Sequence, residues 1–128
     1  MAYTYDRILM GTDIDDADMR LRDALAEAGF GVLTEIDVQA TMKQKIDADM
    51  PPYRILGACN PSMAHKAIEI EPRVGAVLPC NVILREVDGG TEISAIDPVE
   101  LIKAIDSQQL HDVADEVRDM LRKAVDAA

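Results

Sequence analysis

The sequence predicts an α+β fold: one domain over residues 1–128, with an antiparallel sheet of about five strands and helices packed on one face. Three observations lead there. Phe30 to Val38 alternates apolar and polar residues, the mark of a strand with one wet face. Asp88-Gly89-Gly90 falls between two apolar runs as a hairpin turn. Amphipathic helix patterns stand near both ends of the chain, with no internal repeat or low-complexity linker between them.

Taken in order, Tyr3 to Met10 is a first strand ending at Gly11-Thr12. Asp13 suits a helix N-cap, and Asp15, Asp16 and Asp18 crowd the first turns, where the helix dipole favours negative charge. Ile14, Ala17, Leu21, Ala24, Leu25 and Ala28 recur at helical spacing and define a buried face. Asp16–Arg20 and Asp18–Arg22 have the four-residue spacing of ion pairs, and Gly29 closes the helix. In the next strand Phe30, Val32, Thr34, Ile36 and Val38 face one way, with Gly31, Leu33, Glu35 and Asp37 opposite. Gln39 to Ile46 gives a short helix carrying Lys43 and Lys45. Tyr53 to Ala58, opened by Pro51-Pro52, is an apolar strand. Asn60-Pro61 starts a helix reaching about Ile70, with Met63, Ala64, Ala67 and Ile68 on one face. Val74 to Val87 reads as a strand, and Pro79 removes a ladder donor near its middle, so an edge, bulge or bend is expected there. Thr91 to Ile96 returns from the hairpin. Asp97-Pro98 starts a short helix over Val99–Ile105, and a last helix, about Gln109 to Val125, aligns Leu110, Val113, Val117, Leu121 and Val125.

Apolar residues make up 48% of the chain, Trp is absent and Phe30 is the one Phe, so the core is expected to be aliphatic and Met-rich. A net charge of −11 argues against nucleic acid and anionic membrane surfaces as partners. No apolar run approaches the roughly 18 residues of a membrane span. Met1 to Asp6 lacks the regions of a signal peptide, so a cytoplasmic location is expected, with both cysteines as thiols.

The chemistry concentrates between Tyr53 and Val87, which holds both cysteines, each beside an asparagine and a proline: Ala58-Cys59-Asn60-Pro61 and Leu78-Pro79-Cys80-Asn81-Val82. Cys59 stands just before a helix N-terminus, where free amides and the helix dipole lower a thiol pKa. Cysteine is equally at home as a small buried hydrophobe, and Asn60 and Asn81 as cap and turn residues, so a packing role stands beside the reactive one.

These motifs also carry a resemblance. Gly29-Phe30-Gly31-Val32-Leu33-Thr34-Glu35-Ile36-Asp37-Val38, then Lys43, then Tyr53-Arg54-Ile55-Leu56-Gly57-Ala58-Cys59-Asn60-Pro61 form its first part. Ala64-His65, Ala67, Gly75, Leu78-Pro79-Cys80-Asn81-Val82 and Asp97-Pro98 complete it. The chain resembles the bacterial and archaeal family called domain of unknown function 302. The resemblance implies a TATA-binding-protein-like α+β domain with a curved sheet, often dimeric, and points at Cys59, Asn60, Pro61, Pro79, Cys80 and Asn81 as motif positions. It also places such proteins alongside sulfur-handling and redox proteins in some bacteria. It implies no DNA binding, since fold is not function.

Three functions follow as expectations. The first is a thiol-centred module binding a small sulfur-containing or anionic ligand. In it Cys59 is the nucleophilic or persulfide-carrying thiol, Cys80 its resolving or gating partner, and the amides of Ser62 and Met63 cradle an anion beside Asn60 and Asn81. The second is a soft-metal protein using Cys59, Cys80 and His65, with a fourth ligand from His111 or another subunit. The third is a structural or interaction homodimer in which both cysteines pack. No Gly-x-Gly-x-x-Gly, phosphate loop or Gly-x-Ser-x-Gly occurs, and two histidines provision acid–base catalysis thinly. The reading leans away from an enzyme, and no cofactor is expected.

Overall fold

A computed structural model of the chain describes residues 2–128. The elements run β1 (Thr4–Met10), α1 (Ile14–Glu27), β2 (Gly31–Asp37), α2 (Val38–Ile46), β3 (Tyr53–Cys59) and α3 (Pro61–Ile70). A 3₁₀ segment (Pro72–Val77) leads to β4 (Cys80–Val87), β5 (Gly90–Ile96), α4 (Pro98–Leu101) and α5 (Gln108–Ala127). The five strands form one antiparallel sheet in the order β1-β5-β4-β3-β2. This is the α+β architecture expected from the wet-faced strand and the hairpin, with the helical layer on one face.

Register decides which side chains meet that layer, because directly paired residues share a face. Leu56, Val82, Ala95 and Tyr5 form one inward row, and Arg54, Leu84, Ile93 and Arg7 the next. Leu21 and Leu25 of α1 and Leu121 and Val125 of α5 bury themselves in the same aliphatic core. The end of α5 is fastened to the sheet: the Arg7 guanidinium donates to the backbone oxygens of Val125, Asp126 and Ala128 at 3.0, 2.7 and 2.9 Å. Carbonyls of a last helical turn lack intrahelical partners, and the guanidinium supplies donors to them.

The caps fall where the sequence placed them. Asp13, Asn60 and Asp97 each accept an amide of the helix they open. Other expectations need correction. The regular alternation from Phe30 to Val38 breaks at a bulge, since Val32 pairs with Ala58 but Thr34 with Gly57, leaving Leu33 as the extra residue. Phe30 and Val32 therefore face the core, whereas Thr34 and Ile36 face outward. Glu35 turns to the helical side and pairs with Arg22 at 3.2 Å, and Val38 already belongs to α2. The strand expected from Val74 begins only at Cys80. Before it, the Glu71 carboxylate caps the amide of Arg73, Val74 donates to the Glu71 carbonyl, and the chain coils as 3₁₀. Pro79 thus precedes the ladder rather than interrupting it. Ile68 is exposed, and α4 ends at Leu101 instead of Ile105. Arg20 reaches Thr12 and Ala128 instead of Asp16.

On the opposite face, Ile36, Ile55, Ile83, Ser94 and Asp6 lie in one row across all five strands. Ile36 and Ile8 are exposed there. Among the described residues no helix is long and apolar enough to cross a membrane.

Candidate functional site

The motif-bearing segments meet at one end of the sheet. Ala58 pairs with Cys80, and the next residue, Cys59, pairs with Gly31, so the ends of β2, β3 and β4 are joined there. Asn60 follows as the cap of α3, its Oδ1 accepting the Met63 amide at 3.2 Å. Its amide nitrogen lies so near Gly29 that a Cβ there would stand 3.1 Å away. The Gly29–Val32 stretch and both cysteine motifs, far apart in sequence, become one structural unit.

Beneath that unit is a cavity of about 60 Å³. Its floor is Ala58, Cys80 and Phe30, and α3 contributes Met63, Ala64 and Ala67. Leu110, Val113, Ala114 and Val117 of α5 form the far wall. The 3₁₀ segment, its link to β4 and the α4 turn close the remaining side through Val74, Leu78, Leu101 and Ile102. Every lining group is apolar except the two cysteines and Asn60. A shallower groove of about 330 Å³ lies beyond Leu78 and Pro79, bounded by Asn81 and Ile96.

The cysteines differ in environment. Cys80 is buried, and burial, aided by the neighbouring Cys59, pushes its thiol up to about 11. It is therefore almost wholly protonated at neutral pH, which suits a wall residue and not a resolving nucleophile, since exchange requires a thiolate. Cys59 is half-buried at the cavity's edge, and both thiols are free.

Of the other expected site residues, Asn60 and Met63 line the cavity, Ser62 is exposed outside it, and Asn81 belongs to the outer groove. The anion cradle loses one amide, because Met63 N–H is already engaged by Asn60. The metal set is not assembled. His65 is 76% exposed and meets Glu69 at 3.3 Å, and the His111 ring lies 2.9 Å from the Ile105 carbonyl oxygen. Among the described residues no three His, Cys, Asp or Glu side chains converge. Sequence reasoning missed the walls from α5, the 3₁₀ segment and the α4 turn. The Asp97-Pro98 helix start and the aligned Leu110, Val113 and Val117 were its traces of them, but spacing alone did not bring them to the cysteine motifs.

A family model described as domain of unknown function DUF302 matches residues 7–128. The chain belongs to this family. A crystal structure of an uncharacterized conserved DUF302 protein from Bacillus stearothermophilus is similar with a TM-score of 0.92 and 26% identity, over 99% of this chain and 98% of that one. An uncharacterized protein of Aquifex aeolicus (strain VF5) is 28% identical over 100 residues, 77% of this chain and 63% of that protein. The match thus takes in less than two thirds of that relative's length. Within this DUF302 chain, parts of the segments resembling the family signature, among them Ala58, Cys59, Asn60, Leu78, Pro79 and Cys80, line the cavity.

The raised Cys80 pKa has a measurable consequence. Its folded value lies above the ordinary one of 9.0, so above pH 9 the unfolded state holds fewer protons than the folded state. Stability is expected to fall as pH rises from about 9 to about 11, and a Cys80→Val variant should lose that slope. Chemical denaturation across this range checks it; equal slopes would mean that Cys80 is not the group responsible.

Proposed function

We propose that this protein is a small-molecule-binding module whose ligand occupies the cavity between α3, α5 and the end of the sheet, with Cys59 as the thiol at its edge. The observation that supports this is the convergence of three separated motifs on an apolar cavity that a purely packed core would have filled. Cys80 supplies a neutral, polarizable wall. A reducing, cytoplasmic setting fits two free thiols.

The test is a fragment screen by methyl NMR on the wild type, Ala64→Leu and Cys59→Ser. Ala64 is half-buried on α3 and lines the cavity, so a larger side chain there fills space without entering the packed core. Binding should be lost in Ala64→Leu at nearly unchanged melting temperature. Dependence on Cys59 would give the thiol a direct part. Ligands that bind both variants as well as wild type would remove the cavity from the reading.

A second reading, a homodimer, is favoured by the outward row of Ile36, Ile55 and Ile83. The Arg85–Glu92 pair beside it, at 2.8 Å, offers both charges to a twofold-related copy. Sedimentation should then show a dimer that Ile55→Asp converts to monomer. A wild-type monomer throughout the micromolar range would rule this out.

A further inference from the structure

Resting on the cavity as the binding site, we infer that its ligand is a neutral, short alkyl compound, and that anionic ligands, including anionic sulfur compounds, are excluded. Four features of the site carry this. No charged side chain lines the cavity. The amide of the lining residue Met63, at the start of α3, is already satisfied by Asn60 Oδ1 at 3.2 Å. The Cys80 thiol in its wall stays uncharged at neutral pH, so it neither attracts a cation nor forms an ion pair. The chain's net charge of −11 raises the potential barrier to any anion approaching from solvent. An ionised carboxylate or sulfonate entering this space would surrender its hydration and find no cationic partner, only the Asn60 side-chain amide and two weakly donating thiols at the cavity's wall and edge.

Size and shape narrow the class. A water needs roughly 10–15 Å³ of such space, so about 60 Å³ holds about four groups of that size. The walls are methyl and methylene surfaces of Val74, Leu78, Leu101, Val113 and Val117, with Phe30 as the single aromatic ring. A short aliphatic chain matches them better than a flat aromatic. Any polar end would sit toward the edge at Cys59 and Asn60, where the cavity opens. Each methylene moved from water into such a lining is worth about a fourfold gain in affinity.

The probes are the n-alkanols from propanol to heptanol and the carboxylates of matching length, titrated into the intact protein and read from the methyl signals of Ala64, Ala67 and Val113. The expected result is saturable binding of the alcohols, with Kd falling about fourfold per methylene over about the first four carbons and then levelling. Matched carboxylates should bind at least about tenfold more weakly, and Ala64→Leu should abolish the alcohol response. Carboxylates binding as tightly as the alcohols, with shifts at the same methyls, would overturn the ligand class while leaving the cavity as a binding site. No shift at any lining methyl with either series would overturn the cavity reading together with this one.

Discussion

Arg54→Ala is expected to lower stability by about 2–4 kcal/mol in chemical denaturation, somewhat under the roughly 3–5 kcal/mol for breaking a fully buried ion pair because the guanidinium is partly exposed. Arg54 projects inward from β3, level with Leu84 on β4 and Asp37 on β2, and its side chain is 21% exposed. One guanidinium nitrogen meets Asp18 Oδ2 at 3.0 Å and the other meets Asp15 on the same helix. The two contacts are not equivalent. Asp18 is 6% exposed, so losing its partner strands a carboxylate away from water, with only Arg22 left beside it. The Asp15 side chain is 78% exposed, and Asp15→Asn should cost no more than about 0.5 kcal/mol. Arg54→Met combined with Asp18→Leu should recover most of the loss, because no buried charge then remains unpaired. If Arg54→Ala proves as mild as Asp15→Asn, the α1–β3 ion pair is not holding these elements together.

Gly57→Ala is expected to cost about 1–3 kcal/mol, as overpacking does. A Cβ at this position would stand 2.2 Å from Thr34 Oγ1 and 2.7 Å from Pro79 Cγ. Neither neighbour yields easily, since Thr34 is β-branched and held in β2 opposite Gly57, and Pro79 is a ring entering β4. The missing side chain therefore lets the bulged strand and the proline segment approach β3 together. Adding Thr34→Ala should restore part of the loss but not all, because the contact with Pro79 persists. Full recovery in the double variant would mean that the proline segment moves freely and does not fix the cavity wall.

What the sequence could convey follows the reach of each signal. Caps are local, so Asp13, Asn60 and Asp97 were legible as helix starts. The hairpin was legible for the same reason. The bulge at Leu33 was not, because a period-2 pattern reads straight through an inserted residue whose cost is settled by the pairing partner on β3. The 3₁₀ segment was misread as strand because Val74, Val77 and Leu78 are apolar for the cavity's sake and not for a pleat. Cys59, Asn60 and Cys80 were found from motif positions, and Met63 from its place at the helix start. Their separation into an edge thiol, an occupied cap and a neutral wall depends on long-range packing that spacing does not encode. Exposure of His65 likewise could not be foreseen from its place one turn into α3.

The strand order carries a consequence for how the chain is made. β1 is synthesised before the other four strands of this sheet, yet among the described residues it pairs only with β5, and its Arg7 holds the last turn of α5. During translation the hairpin of β4 and β5 and the neighbouring β3 can associate while β1 waits with an unsatisfied backbone edge. It gains its lasting partners only when residues near 96 have left the ribosome, and its full anchorage only after α5 has followed. Contacts this distant in sequence are slow to close and expose a strand to aggregation in the interval. Nascent chains stalled before α5 should therefore remain sensitive to protease in β1 even when the centre of the sheet has become resistant.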